Sequence, residues 1–188
     1  MTGIGLTTIL ITGGVRSGKS RFAQELAQRL GQPVLFVATA EAGDEEMRQR
    51  IEEHRRARPS AWRTLEAPTC VGQHIVQEIG SAQVVIIDCV TLLVSNVLSQ
   101  FIDPTSAHID DSLAEKAVTH EINELIDGLN RVAASFIIVT NEVGMGLVPD
   151  NKLGRTYRDL LGKANQRLAE RADEVYLMVA GLPVRVKP

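Results

Sequence analysis

A single α/β domain, built on a mostly parallel β-sheet flanked by helices, is predicted by three observations. Short β-rich runs alternate along the chain with segments of helical length. The strand runs are continuous in Val and Ile, as in Val84-Val85-Ile86-Ile87 and Phe136-Ile137-Ile138-Val139, which is the pattern of strands buried on both faces. No internal repeat or long linker divides the 188 residues, so one domain spans 1–188. Apolar residues make up 44% and charged residues 23%, the balance of an ordinary globular protein. A chain of this size buries roughly 70% of its unfolded surface, enough for a core without staples.

The elements follow in order. Thr7–Thr12 reads as the first strand. Lys19–Leu30 is a helix with Phe22, Leu26 and Leu30 on one face and Gly31 as its stop. Pro33–Thr39 is a second strand, Gly43–Ala57 a second helix and Trp62–Glu66 a short extended piece. Thr69–Ile79 has helical character and leads into the strand Gln83–Asp88. Val90–Phe101 reads as a helix, although its apolar run leaves the type ambiguous. Ile102–Asp111, with Pro104, has the composition of a loop and is expected to be a mobile insertion. Ser112–Ala133 places Val118, Ile122, Leu125, Leu129 and Val132 at helical intervals. Phe136–Thr140 is a strand, and Asn141–Asp150 a Gly-rich loop. Lys152–Arg171 is a helix with Leu153, Tyr157, Leu160, Ala164 and Leu168 in register. Glu174–Val179 and Leu182–Val186 close the chain as strands.

Composition excludes several classes. The 20 Lys+Arg against 23 Asp+Glu leave a formal charge of −3, and the aromatics are few (Trp 1, Tyr 2, Phe 4). A nucleic-acid binder would need a basic footprint and stacking platforms that this chain lacks. The longest apolar runs are too short to span a bilayer. No basic segment precedes Ile9-Leu10-Ile11, as a signal peptide would require, so a cytoplasmic location is expected. Cys70 and Cys89 allow at most one disulfide, and their surroundings favour two reduced, buried thiols. No Cys/His spacing suggests zinc.

Gly13-Gly14-Val15-Arg16-Ser17-Gly18-Lys19-Ser20 fits the phosphate-loop pattern G-x-x-x-x-G-K-[ST] in full. It lies between a predicted strand and a predicted helix, where its mechanism requires it. Glycines let backbone N–H groups wrap phosphate oxygens, and the helix N-terminus adds its positive end. Lys19 would reach the β/γ-phosphates and Ser20 would ligate Mg²⁺. The run Val84–Asp88 has the companion form, an apolar strand ending in a carboxylate, which sets Asp88 beside the loop as a second Mg²⁺ ligand. A signalling GTPase would carry N-K-x-D after a late strand. Here Asn141-Glu142-Val143-Gly144 lacks both Lys and Asp, although its place at a strand's C-terminal end suits a ligand crevice.

Arg48, Arg50, Arg55, Arg56, Arg58 and Arg63 crowd around Glu52 and Glu53. Met47, Ile51, His54 and Arg58 are spaced by four, three and four, so they share one helix face. Two readings of His54 stand side by side. On pattern alone the favoured one is a half-buried structural histidine beside a solvated basic face. In the other, nearby guanidinium groups disfavour the imidazolium, leaving a lone pair that attacks phosphorus while the arginines neutralise a bound nucleotide.

The motifs together resemble a known family. Ile11–Arg21, Val37-Ala38-Thr39-Ala40, Asp44–Met47 with Arg50–Arg55 and Arg58-Pro59, and Trp62-Arg63-Thr64 with Glu66 occur in the family's order. Asp88-Cys89-Val90-Thr91 with Asn96, Val139–Gly146, Tyr157-Arg158-Asp159 with Gly162, and Asn165–Ala169 follow. The chain resembles the bifunctional adenosylcobinamide kinase/adenosylcobinamide-phosphate guanylyltransferases of cobalamin biosynthesis. That resemblance implies a P-loop NTPase-like fold, commonly assembled as a homotrimer, with GTP or ATP, Mg²⁺ and adenosylcobinamide as its small-molecule ligands. It implies phosphorylation of the corrinoid's aminopropanol hydroxyl, then transfer of GMP from GTP through a guanylylated histidine, whose position His54 occupies. It also implies nucleotide contacts from residues 13–20, Ala38, Thr39, Ala40, Arg55, Arg56, Ala57, Arg58, Glu66 and Asp88.

Overall fold

In the computed structural model, seven strands among the described residues form one sheet in the order β3-β2-β4-β5-β1-β6-β7. These are β1 Thr8–Gly13, β2 Val34–Ala38, β3 Arg63–Glu66, β4 Val84–Asp88, β5 Ser135–Val139, β6 Glu174–Val179 and β7 Leu182–Lys187. The described residues are 5–43, 45–56, 58–102 and 109–188. All neighbours pair parallel except β6 and β7, a hairpin that sets one antiparallel strand at the edge. The four central strands β2, β4, β5 and β1 are nearly all buried, which accounts for their unbroken apolar sequence.

Helices cover both faces unequally. The helix α1, Lys19–Leu30, lies on one face, where its Ala23 and Ala27 meet Ile9, Ile11, Phe36, Ile86 and Ile137. The other face carries α3 Val71–Glu78, α4 Val90–Ser99, α5 Asp111–Arg131 and α6 Lys152–Arg171, packed on Leu10, Val37, Val85, Ile87, Phe136 and Ile138. Successive residues of one strand thus point to opposite cores, as the period of two requires. The helix α2, Glu45–Arg56, contributes no described side chain to either core. Its C-terminal end is tethered by the Arg55–Glu66 ion pair.

The predicted elements are present with ends shifted by at most two residues, and Lys19–Leu30, Lys152–Arg171 and Glu174–Val179 match at both ends. The ambiguous Val90–Phe101 segment is the helix α4, buried through Val90, Leu93, Val94, Val97 and Leu98. The Gly-rich loop after β5 contains one 3₁₀ turn, Val143–Met145. The expected mobile insertion falls mainly outside the described residues; its flanks, Ile102 and Ile109, form an antiparallel bridge. Cys70 is exposed rather than buried, because it precedes α3 in a left-handed conformation at the surface. Cys89 is half-buried, and both thiols are free. Among the described residues no helix is long and apolar enough to cross a membrane.

Candidate functional site

The register of the sheet sets the site. Ala38 of β2, Asp88 of β4 and Val139 of β5 stand side by side, and Ile11 of β1 pairs with Val139. These strands therefore end on one edge. Beyond β1 the chain crosses over β5 and β4 to reach β2, while β6 is added on the opposite side of β1. Such a reversal opens a crevice at the carboxyl ends of the strands. A cavity of about 450 Å³ lies there, within the range of small-ligand sites.

The phosphate loop forms one wall through Val15–Ser20. Two of its glycines are sterically required. Gly13 has φ +146, and a Cβ there would stand 2.7 Å from the Met178 carbonyl oxygen; Gly18 has φ +96 and would meet Gly181 Cα at 3.2 Å. Only glycine takes those backbone angles without strain. Gly181 N–H also donates to the Ser17 carbonyl at 3.0 Å, so the β6–β7 turn braces the loop. Lys19 is buried, and its Nζ donates to the Gly14 carbonyl at 2.6 Å, folding the ammonium across the loop.

The strand ends form the floor. Asp88 Oδ2 is buried without a hydrogen-bond partner, and Ser20 lines the same cavity. A buried carboxylate oxygen lacking a donor is costly unless a cation takes it. Carboxylate and hydroxyl oxygens are the hard donors that Mg²⁺ prefers, so these residues fit that ion. No group of three or more His, Cys, Asp or Glu able to hold a metal occurs among the described residues. A cation here would lean on substrate oxygens as well, as Mg²⁺ sites commonly do.

The third wall is α2. Met47, Ile51 and His54 all line the cavity, as does Arg58 just beyond the helix, so the face predicted from spacing is the face turned inward. His54 is exposed rather than half-buried, because that wall opens to solvent. The Arg58 guanidinium carbon stands 3.6 Å from the Phe36 ring centroid, and its Nε is buried without a partner. Burial lowers the Arg58 pKa, and the Asp88 carboxylate pulls it back up. Since arginine stays charged in proteins, this is a poorly solvated cation stacked on a ring, favoured by any anion that enters.

Not every expected contact is brought to the cavity. Val15, Arg16, Ser17, Gly18, Lys19, Ser20, Ala38, Ala40, His54, Arg58 and Asp88 line it; Gly13, Gly14, Thr39, Arg55, Arg56 and Glu66 do not. Ala57 lies outside the described residues. Thr39 is fully buried, its Oγ1 accepting from Cys89 N–H at 2.8 Å and donating to the Cys89 carbonyl at 2.7 Å. It clasps the turn after Asp88. Arg55 is engaged with Glu66, and Arg56 with Glu52 at 3.0 Å. Cys89, Thr91, Leu92 and Asn141 complete the wall. Asn141 N–H donates to Thr91 Oγ1 at 2.8 Å, and its carbonyl accepts from Asn165 at 3.0 Å. Of these, Asn141 had a sequence signal in its position after a strand; Leu92 had none.

Comparison with known proteins agrees with this geometry. Residues 9–186 match the family described as cobinamide kinase / cobinamide phosphate guanyltransferase. The bifunctional adenosylcobalamin biosynthesis protein CobU of Escherichia coli K12 is 44% identical over 180 residues, 95% of this chain and 99% of that protein. The bifunctional adenosylcobalamin biosynthesis protein CobP of Pseudomonas aeruginosa is 40% identical over 178 residues, 95% of this chain and 96% of its own length. A solved ATPase from a type III secretion system aligns at TM-score 0.53 with 11% identity, covering 95% of this chain and 56% of that one, a likeness of fold alone. With a phosphate loop, a strand-end carboxylate and an inward-facing histidine in one crevice, and relatives matched nearly end to end, the chain belongs to the cobinamide kinase / cobinamide phosphate guanyltransferase family.

Proposed function

We propose that this chain phosphorylates adenosylcobinamide and then transfers GMP from GTP to adenosylcobinamide phosphate through a guanylylated His54, giving adenosylcobinamide-GDP. The observation that supports this most directly is that the phosphate loop and His54 wall one cavity of nucleotide size. In the first step the acceptor hydroxyl attacks the γ-phosphorus of GTP or ATP. The bond to the β-phosphate oxygen breaks, the nucleoside diphosphate leaves and the hydroxyl proton passes to solvent. The loop amides and Lys19 balance the charge.

In the second step an imidazole nitrogen of His54 attacks the α-phosphorus of GTP and pyrophosphate leaves. A phosphate oxygen of the acceptor then attacks the P–N-bonded phosphorus, which frees the histidine. Arg58 is the cation best placed to serve the α-phosphate, being desolvated and turned into the cavity. Mg²⁺ held by Ser20 and Asp88 would neutralise phosphate charge. The resemblance further supports a homotrimer acting in the cytoplasm, a state that sedimentation equilibrium reads directly.

Incubation with GTP and Mg²⁺, followed by intact-mass measurement, is expected to add one GMP to the native chain and none to His54→Asn. The variant should still phosphorylate the corrinoid. No adduct on the native chain, or an equal adduct on both, refutes the histidine route.

A further inference from the structure

The segment Met145–Val148 presents three large apolar side chains to solvent: Met145 is 76% exposed, Leu147 96% and Val148 66%. Val15, at the cavity wall, is 73% exposed. Exposed apolar residues are ordinary singly, but a run of them beginning four residues beyond the cavity-lining Asn141 points to a ligand. The segment is also held at both ends. Before it, Glu142 N–H donates to the Gly13 carbonyl at 3.1 Å, and the Asn141 carbonyl accepts from Asn165. Beyond it, Arg155 donates to the carbonyls of Pro149 at 3.0 Å and Asp150 at 2.7 Å, and Gly154 lies against Pro149. A pinned loop that keeps apolar side chains in water is preorganised for a partner, because little ordering remains to be done on binding.

Size decides what that partner is. The cavity of about 450 Å³ suits one nucleotide, and a corrin macrocycle with its amide arms does not fit beside it. Only the aminopropanol arm needs to reach the phosphates. We infer that the apolar shelf formed by Met145, Leu147 and Val148, which follows the cavity-lining Asn141 along the chain and is anchored to the phosphate loop through Glu142, seats the methyl-rich corrin ring of the acceptor while its arm enters the cavity. This rests on the cobinamide reading of the function.

The test is the double substitution Met145→Ser with Leu147→Ser. Both side chains are exposed, so the fold does not depend on them. The KM for cobinamide is expected to rise about tenfold or more, the loss of one well-covered Leu-sized contact or greater. GTP affinity and formation of the GMP adduct, which need no corrinoid, should stay within about twofold of the native values. Free 1-amino-2-propanol, the arm without the ring, should react equally slowly with both proteins. An unchanged KM for cobinamide overturns the shelf. So does a parallel loss of GTP affinity, which would assign the segment to the nucleotide. A change in oligomeric state of the variant overturns it as well, by assigning the segment to a second copy. Failure of the native protein to phosphorylate cobinamide at all would instead sink the functional reading beneath it.

Discussion

Asp88 and Cys89 are neighbours on one cavity wall with opposite chemistry. The Asp88 carboxylate keeps a buried oxygen, Oδ2, without a hydrogen-bond partner. The Cys89 thiol is pushed up to about 11, chiefly by burial and then by the negative Asp88 beside it. The sign matters: a raised thiol pKa favours the protonated form, so at pH 8 roughly one Cys89 in a thousand is thiolate. Cys70, by contrast, is exposed. Iodoacetamide at pH 8, followed by peptide mass mapping, is expected to modify Cys70 readily and leave Cys89 intact. Cys89 labelled as fast as Cys70 would contradict its placement. Sequence identified Lys19, Ser20 and Asp88 as site residues from their spacing alone. Spacing also set Arg58 apart from Arg55 and Arg56, on the face of Met47, Ile51 and His54, but it gave no sign that the Arg58 guanidinium stacks on Phe36, a contact between positions 22 residues apart.

Helices α3 and α5 cross with almost no side chain between them. A Cβ on Gly128 would stand 2.7 Å from both Cα and O of Gly72, and one on Gly72 would stand 2.1 Å from the Glu124 carbonyl oxygen. The buried Glu121 seals the same contact, accepting from the backbone N–H groups of Cys70 and Val71 at 3.0 Å each. It supplies the cap that α3 lacks from its own Cys70 side chain. Gly128→Ala has only backbone to push against, and is expected to cost about 2–3 kcal/mol, lowering Tm by roughly 5–10 °C. Gly162→Ala, in the helix α6 with open space around it, should instead stabilise by about 0.5–1 kcal/mol. Thermal melts of the two variants check the pair, and equal shifts would refute the close crossing. The apolar stripe of α5 was legible in its 3.6-residue period. The glycine pairing was not, since it joins positions 56 residues apart and glycine has no period of its own.

At the scale of the molecule, cohesion and function are unevenly shared. The central strands are sandwiched between two cores, whereas α2 places its described apolar side chains, Met47 and Ile51, on the cavity and neither core. Helices of this kind occupy the low-stability end of a fold. Amide hydrogen exchange is therefore expected to run about a hundredfold or more faster in α2 than in β1, β4 and β5, with added GTP narrowing the gap. Equal protection without nucleotide would show that α2 is held by contacts other than those seen.

The division between sequence and tertiary structure follows from the range of the forces involved. Strand and helix types, the parallel sheet, the phosphate loop and the inward face of α2 are set by periodicity and local spacing, so the sequence by itself determined them. The order β3-β2-β4-β5-β1-β6-β7 sets Ala38, Asp88 and Val139 in one row. It brings α2 and the phosphate loop to one cavity, buries Thr39 against Cys89 and leaves Met145–Val148 in water. Those outcomes depend on contacts between segments dozens of residues apart, which no local pattern encodes, and only the packed tertiary structure decided them.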